Sequence, residues 1–230
     1  MHLSINKKKI YFYLLIFFAL STLGNINYKK SLSEFFYVKN IDISDLGPEY
    51  QNKLEKDLIR FKDRNILFVS DQELSIILDK YNEFKNYKIQ KIFPSKLQVE
   101  VKKTKFIAKT IRDEKEFLVG ENKKLIEFKN FASHQDLPTI FGSFPIESFF
   151  ILQENLKKGN FDVDTIDNYF YFKIDRWDLK IEKNITIKLP INDQLGSLKI
   201  FELLKNQNKI KENTIFDFRM PKKVIIVNDK

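Results

Sequence analysis

Two histidines, no cysteine and 31 acidic residues are the stock from which this 230-residue chain could build a reaction centre. An imidazole titrating near neutrality can act as acid or base, a thiolate as nucleophile or metal ligand, and a carboxylate pair as acid and base together. The absence of cysteine excludes thiolate catalysis, disulfides and Cys-ligated metals. His2 precedes the Lys7-Lys8-Lys9 run, which leaves His134, in the polar stretch FASHQDLP, as the remaining imidazole. A lone histidine in such a loop reads as solvated. Asp113 with Glu114, and Asp162 with Asp164, are spaced for paired-carboxylate work, but in so acidic a chain solvated faces account for them. There is no Gly-rich phosphate loop and no Gly-x-Ser-x-Gly turn. The expectation is a protein that is not an enzyme and that holds no metal, cofactor or small-molecule substrate.

The backbone is then the chemistry worth locating. The formal net charge of +9 would suit an acidic partner, yet the basic residues are spread along the chain and mixed with acidic ones, so no nucleic-acid partner is expected. The chain ends in TIFDFRMPKKVIIVNDK, two apolar runs separated by Met220-Pro221-Lys222. An outermost strand there would offer unpaired N–H and C=O groups to a second chain. Val224, Ile225, Ile226 and Val227 are four consecutive apolar residues and must point to both faces of a sheet. Either both faces are core, or one is covered by a partner.

Several elements must position that edge. Ile10 to Leu23 is uncharged and mostly apolar behind three lysines, and reads as an export signal with its N-terminus in the cytoplasm. At ~1.5 Å per residue that run spans roughly 21 Å, short of the ~30 Å hydrocarbon core unless the helix continues to Ile26 or Asn27. An uncleaved anchor, a signal peptide cleaved near Ala19-Leu20-Ser21, and a buried helix are the alternatives. Next comes a strand through Val38, Ile41 and Ile43, ended by Gly47-Pro48. Tyr50, Leu54, Leu58 and Phe61 then follow at helical spacing. Ser70 and Glu73 have the spacing of a capping box before Leu74, Ile77, Leu78 and Tyr81. YKIQKIFPSKLQVEV, residues 87 to 101, alternates on either side of Pro94-Ser95-Lys96 and predicts a hairpin. The order strand, helix, helix, strand, strand predicts a three-stranded sheet with both helices on one face.

That segment resembles the POTRA domain of the bacterial cell-division family FtsQ, called DivIB in some lineages. Lys91, Phe93, Pro94, Leu97, Val99, Val101 and Ala108 stand where the family's hairpin has a basic residue, an aromatic, Pro, alternating aliphatics and Ala. Lys103, Thr104 and Phe106 depart from its Glu, Arg and Pro. Leu137 to Gly142 is similar to the family's Leu-Pro-x-hydrophobic-x-Gly. RWDLKIEKNITIKL is similar to its Trp-x-Leu-x-Leu hairpin, with Trp177, Leu179, Ile181, Ile185, Ile187 and Leu189 in register around Lys183-Asn184; Pro190 stands where Gly is usual. A helix from about Asp193 to Asn206 and the two last strands, TIFDFR and KVIIV, complete the resemblance.

The resemblance implies an α+β chain with a cytoplasmic N-terminus (1–9), a transmembrane helix (10–27), a POTRA-like βααββ domain (36–104) and a mainly antiparallel β-domain with one or two helices (105–230). It implies a single-pass protein of the inner membrane, with its bulk in the periplasm at the division septum, that binds FtsB and FtsL and recruits for septal wall synthesis. By position the partner-binding residues would be Phe218, Arg219, Met220, Lys222, Lys223, Val224, Ile225, Ile226 and Val227, with Trp177. Trp177 and the many phenylalanines also read as strand core. A POTRA-bearing outer-membrane assembly or transport component is the alternative, although no internal repeat of such a unit is seen.

Overall fold

The computed structural model describes residues 7–25, 34–44, 46–128, 136–207, 211–220 and 222–228. They form a mixed α+β protein that divides into two units, one of residues 1–80 and 87–102, the other of 81–86 and 103–230.

In the first unit, helix α1 runs from Lys7 to Asn25. Its apolar side chains from Ile10 to Leu20 are exposed on every side. No helix among the described residues is long and apolar enough to cross a membrane. This corrects the expected span over residues 10–27: lysines fill the first turn of α1, Ser21, Thr22, Gly24 and Asn25 fall in its last turns, and residues 26 and 27 lie outside the described ones.

Strand β1 (Asn40–Ser44) precedes helix α2 (Pro48–Leu58), which starts with Pro48 in its first turn and Gly47 as its extended N-cap. There the missing proline N–H costs nothing, because the first amides of a helix lack intrahelical partners. A single 3-10 turn, Ile59–Phe61, extends the apolar stripe, and Leu54, Leu58 and Phe61 are all fully buried. Helix α3 (Asp71–Leu78) is capped by Ser70, whose Oγ accepts from the Gln72 amide at 3.2 Å. The capping box is only half formed, because Glu73 instead accepts from the Arg64 guanidinium at 2.8 Å. Strands β2 (Phe84–Ile92) and β3 (Lys96–Lys103) make the expected hairpin, and the sheet order is β1-β3-β2 with β1 parallel to β3. Leu97, Val99 and Val101 are buried on the face that Ile41 and Ile43 share. Tyr81 lies beyond the end of α3, in the second unit, where it stacks on Phe84 at 4.7 Å.

Residues 81–86 belong to the second unit for a visible reason. The Thr104 amide donates to Glu83 O at 2.8 Å, and Asn122 Nδ2 donates to Asn82 O and Phe84 O at 2.8 and 3.0 Å. Among the described residues the unit holds nine strands: β4 (Phe106–Arg112), β5 (Lys115–Gly120), β6 (Leu125–Glu127), β7 (Thr139–Phe141), β8 (Ile166–Phe172), β9 (Arg176–Ile181), β10 (Ile185–Lys188), β11 (Thr214–Asp217) and β12 (Ile225–Asn228). They join one sheet in the order β12-β11-β10-β9-β8-β7-β4-β5-β6. Parallel pairing occurs at β10–β11, β4–β7 and β7–β8, and the other recorded pairs are antiparallel. Helices α4 (Ile146–Lys158) and α5 (Gln194–Asn206) bury Phe149, Leu152, Leu156, Leu198 and Phe201 in one core with Tyr169, Trp177, Leu179, Ile187 and Phe216. The β9–β10 turn places Lys183 and Asn184 at φ 60 and 58 degrees, a conformation Asn tolerates better than most residues.

Candidate functional site

The last two strands form the outer end of this sheet. β11 lies parallel to β10, with Ile187 beside Phe216 and Lys188 beside Asp217. β12 runs antiparallel to β11, pairing Asp217 with Ile225, Phe216 with Ile226 and Ile215 with Val227. No strand pairs with the far side of β12 among the described residues, so one row of its backbone groups is open.

Its side chains are open as well. Ile226 shares a face with Phe216, which is fully buried where the Phe201 ring of α5 meets it edge-on at 5.1 Å. One strand further out, Ile226 is 49% exposed. On the opposite face Ile225 and Val227 are 46% and 47% exposed. Both apolar faces of β12 therefore lie uncovered beside an open edge.

The segment before β12 is more varied than the sequence suggests. β11 stops at Asp217 and β12 begins at Ile225, so both strands are shorter than TIFDFR and KVIIV. Phe218, expected among the partner-binding residues, is only 5% exposed and packs in the core, and its amide donates to Lys188 O at 2.9 Å. Arg219 turns back on Asp217, with Nε 2.8 and 3.0 Å from its two carboxylate oxygens and one terminal nitrogen at 2.5 Å. That fork holds the Asp217 carboxyl below the usual carboxylate range. Met220, Lys222 and Lys223 are exposed, while Val224 is half-buried against the core; Pro221 lies outside the described residues.

Beside this turn is a cavity of about 750 Å³ with apolar walls from Ile174, Ile191, Ile200, Met220 and Val224 and a basic rim from Arg176, Arg219, Lys222 and Lys223. The sequence reading missed Ile174, Ile191 and Ile200. Their signal is an apolar residue off the core stripe: Ile191 follows Pro190 in a polar loop, and Ile200 sits between the buried Leu198 and Phe201. Asp178 is 6% exposed, pairs across the strands with Phe170 and Lys188, and meets Arg176 Nε at 3.3 Å. Burial pushes its carboxyl up, partly offset by Arg176, Lys188 and Arg219.

Trp177, expected among the partner-binding residues, lies inside the core. It is 0% exposed, packed by Phe144, Phe149, Tyr169 and Tyr171, and its Nε1 donates to Ser148 Oγ at 3.0 Å. The carboxylate pairs serve the backbone. Asp113 and Glu114 make the β4–β5 turn at φ 48 and 61 degrees, and Asp162 accepts from the Asp164 amide at 3.2 Å to cap a short 3-10 turn. His134 lies outside the described residues.

No protein-family model and no curated protein matches the chain. Among solved structures it is similar to the major extracytoplasmic domain, as the trans isomer, of the cell division protein DivIB from Geobacillus stearothermophilus. The identity is 15%, the TM-score is 0.32, and the match covers 48% of this chain and 99% of that one. At that identity and score the likeness assigns no function.

Proposed function

We propose that this chain is a scaffold of bacterial cell division of the FtsQ/DivIB type, carrying no reaction of its own. Its work is to take up a strand of a FtsB-like partner on the open edge of β12, and with it FtsL, near the enzymes of septal wall synthesis. The observation that carries this reading is the state of β12: a sheet edge with unpaired backbone, whose Ile225, Ile226 and Val227 are each about half exposed on two opposite faces. A partner strand would satisfy the backbone row, and a partner's apolar side chains would cover both faces, which is how strand addition combines affinity with specificity. The motif order around Pro94, Leu137 to Gly142 and Trp177 to Leu189 is what points to this family.

A photo-crosslinking amino acid placed at Ile226 in the full-length protein tests it in living cells. The expected product is a covalent adduct with a small single-span division protein, identified by mass spectrometry. Adducts with outer-membrane precursors would instead make the chain a transport component.

A further inference from the structure

The first unit has an open edge of its own. β1 ends the sheet β1-β3-β2, paired on one side by β3 and by no strand on the other among the described residues. Between that edge and α2 runs a groove of about 490 Å³. Asn52, Lys56, Ile59 and Lys62 line it at intervals of three and four, so they form one stripe of α2 and the turn after it. The core stripe, Leu54, Leu58 and Phe61, is a separate one and is fully buried. Ile59 is thus an isoleucine on the polar side of a helix, 61% exposed, facing a groove with half-buried Ile41 on its strand wall.

The charges at the groove are unbalanced. Of its two acidic residues, Asp42 is engaged by Lys96, while Glu55 accepts from the neutral Gln51 side-chain amide at 3.0 Å and keeps its charge. Lys39, Lys56 and Lys62 meet no acidic oxygen among the described residues. Alternation puts Lys39 on the same strand face as Ile41, toward the helix stripe. The groove therefore presents an apolar centre, Ile41 and Ile59, among cations in excess: Lys39, Lys56 and Lys62 against Glu55. With a net charge of +9, a second copy of this chain is a poor complement.

We propose that this groove receives an extended acidic segment of a partner protein, added to β1 as a fourth strand, with an apolar side chain on Ile41 and Ile59 and flanking carboxylates on the lysines. This site is separate from β12 and does not depend on the reading given above for that strand.

The test uses the full chain in detergent and a fluorescent heptapeptide, Thr-Glu-Thr-Ile-Thr-Glu-Thr, followed by anisotropy at low salt. Saturable binding is expected, weakened at least fivefold by K56E with K62E and at least fivefold by I59S. All three positions are exposed, so the fold should persist. Ile226→Pro should leave this binding unchanged, which separates the groove from the β12 site. Replacing both Glu by Lys in the peptide, or N-methylating alternate amides to remove strand donors, should abolish binding. Absence of saturable binding to 1 mM, or equal binding by the N-methylated peptide or by the charge-reversed protein, overturns the proposal. Concentration-dependent self-association that buries the same lysines would overturn the choice of an acidic partner.

Discussion

Asp178 and Asp217 face opposite pressures although both lie on the same sheet face, on either side of Lys188 of β10. Asp217, held below the usual range by Arg219, contributes stability that is fully present above the unfolded aspartate value of about 3.9 and is lost as pH falls through its lower folded value. Asp178, raised by burial, binds its proton more tightly when folded. Its contribution is therefore greatest at low pH and declines as pH rises from about 3.9 through its folded value. Denaturation of D217N between pH 2 and 7 should show a loss of at most about 1 kcal/mol at pH 7, since Arg219 is substantially exposed, and the loss should fade toward pH 2. D178N should show the reverse trend, its stability relative to the parent rising as pH increases through that window. Neither behaviour is legible in the sequence, because Arg219 could equally have pointed to solvent, and Asp178 sits in RWDLKI where alternation predicts an outward, wet residue. It is dry because Phe170, Lys188 and Arg176 close over the outer face of β9.

Among the elements, those with a long periodic signal were readable and those set by tertiary contact were not. The buried stripe of α2, the Ser70 cap of α3, the hairpin around Pro94 and the Lys183-Asn184 turn all follow from local spacing and turn chemistry. The end of α3 before Tyr81, the transfer of residues 81–86 to the second unit and the early stop of β11 depend on partners far along the chain, such as Asn122 and Lys188. For β12 the four-residue apolar run indicated two apolar faces, and the geometry adds that neither is covered. Successive N–H groups of a strand point alternately to its two neighbours. A proline scan of positions 225, 226 and 227 should therefore alternate: prolines that remove a bond to β11 lower the melting temperature, while those on the open edge leave the melt nearly unchanged and weaken partner binding by ~3 kcal/mol. A scan in which folding and binding fall together at every position would remove the case for a separate open edge.

At the scale of the whole molecule, α1 differs from the two folded units in burying none of its apolar side chains from Ile10 to Leu20, which are exposed on every side. Deleting residues 1–25 should leave the melting temperature of what remains unchanged, because those side chains are exposed; a lower melting temperature would contradict this. The central claim concerns the other end of the chain. It is tested most directly by amide hydrogen exchange of the full-length protein, alone and saturated with the extracytoplasmic segment of a FtsB-like partner. Alternate amides of Ile225 to Asn228 on the open edge are expected to slow at least tenfold on binding, while those of the α2 and α3 helices keep their rates. Unchanged exchange throughout β12 in the bound state would contradict it.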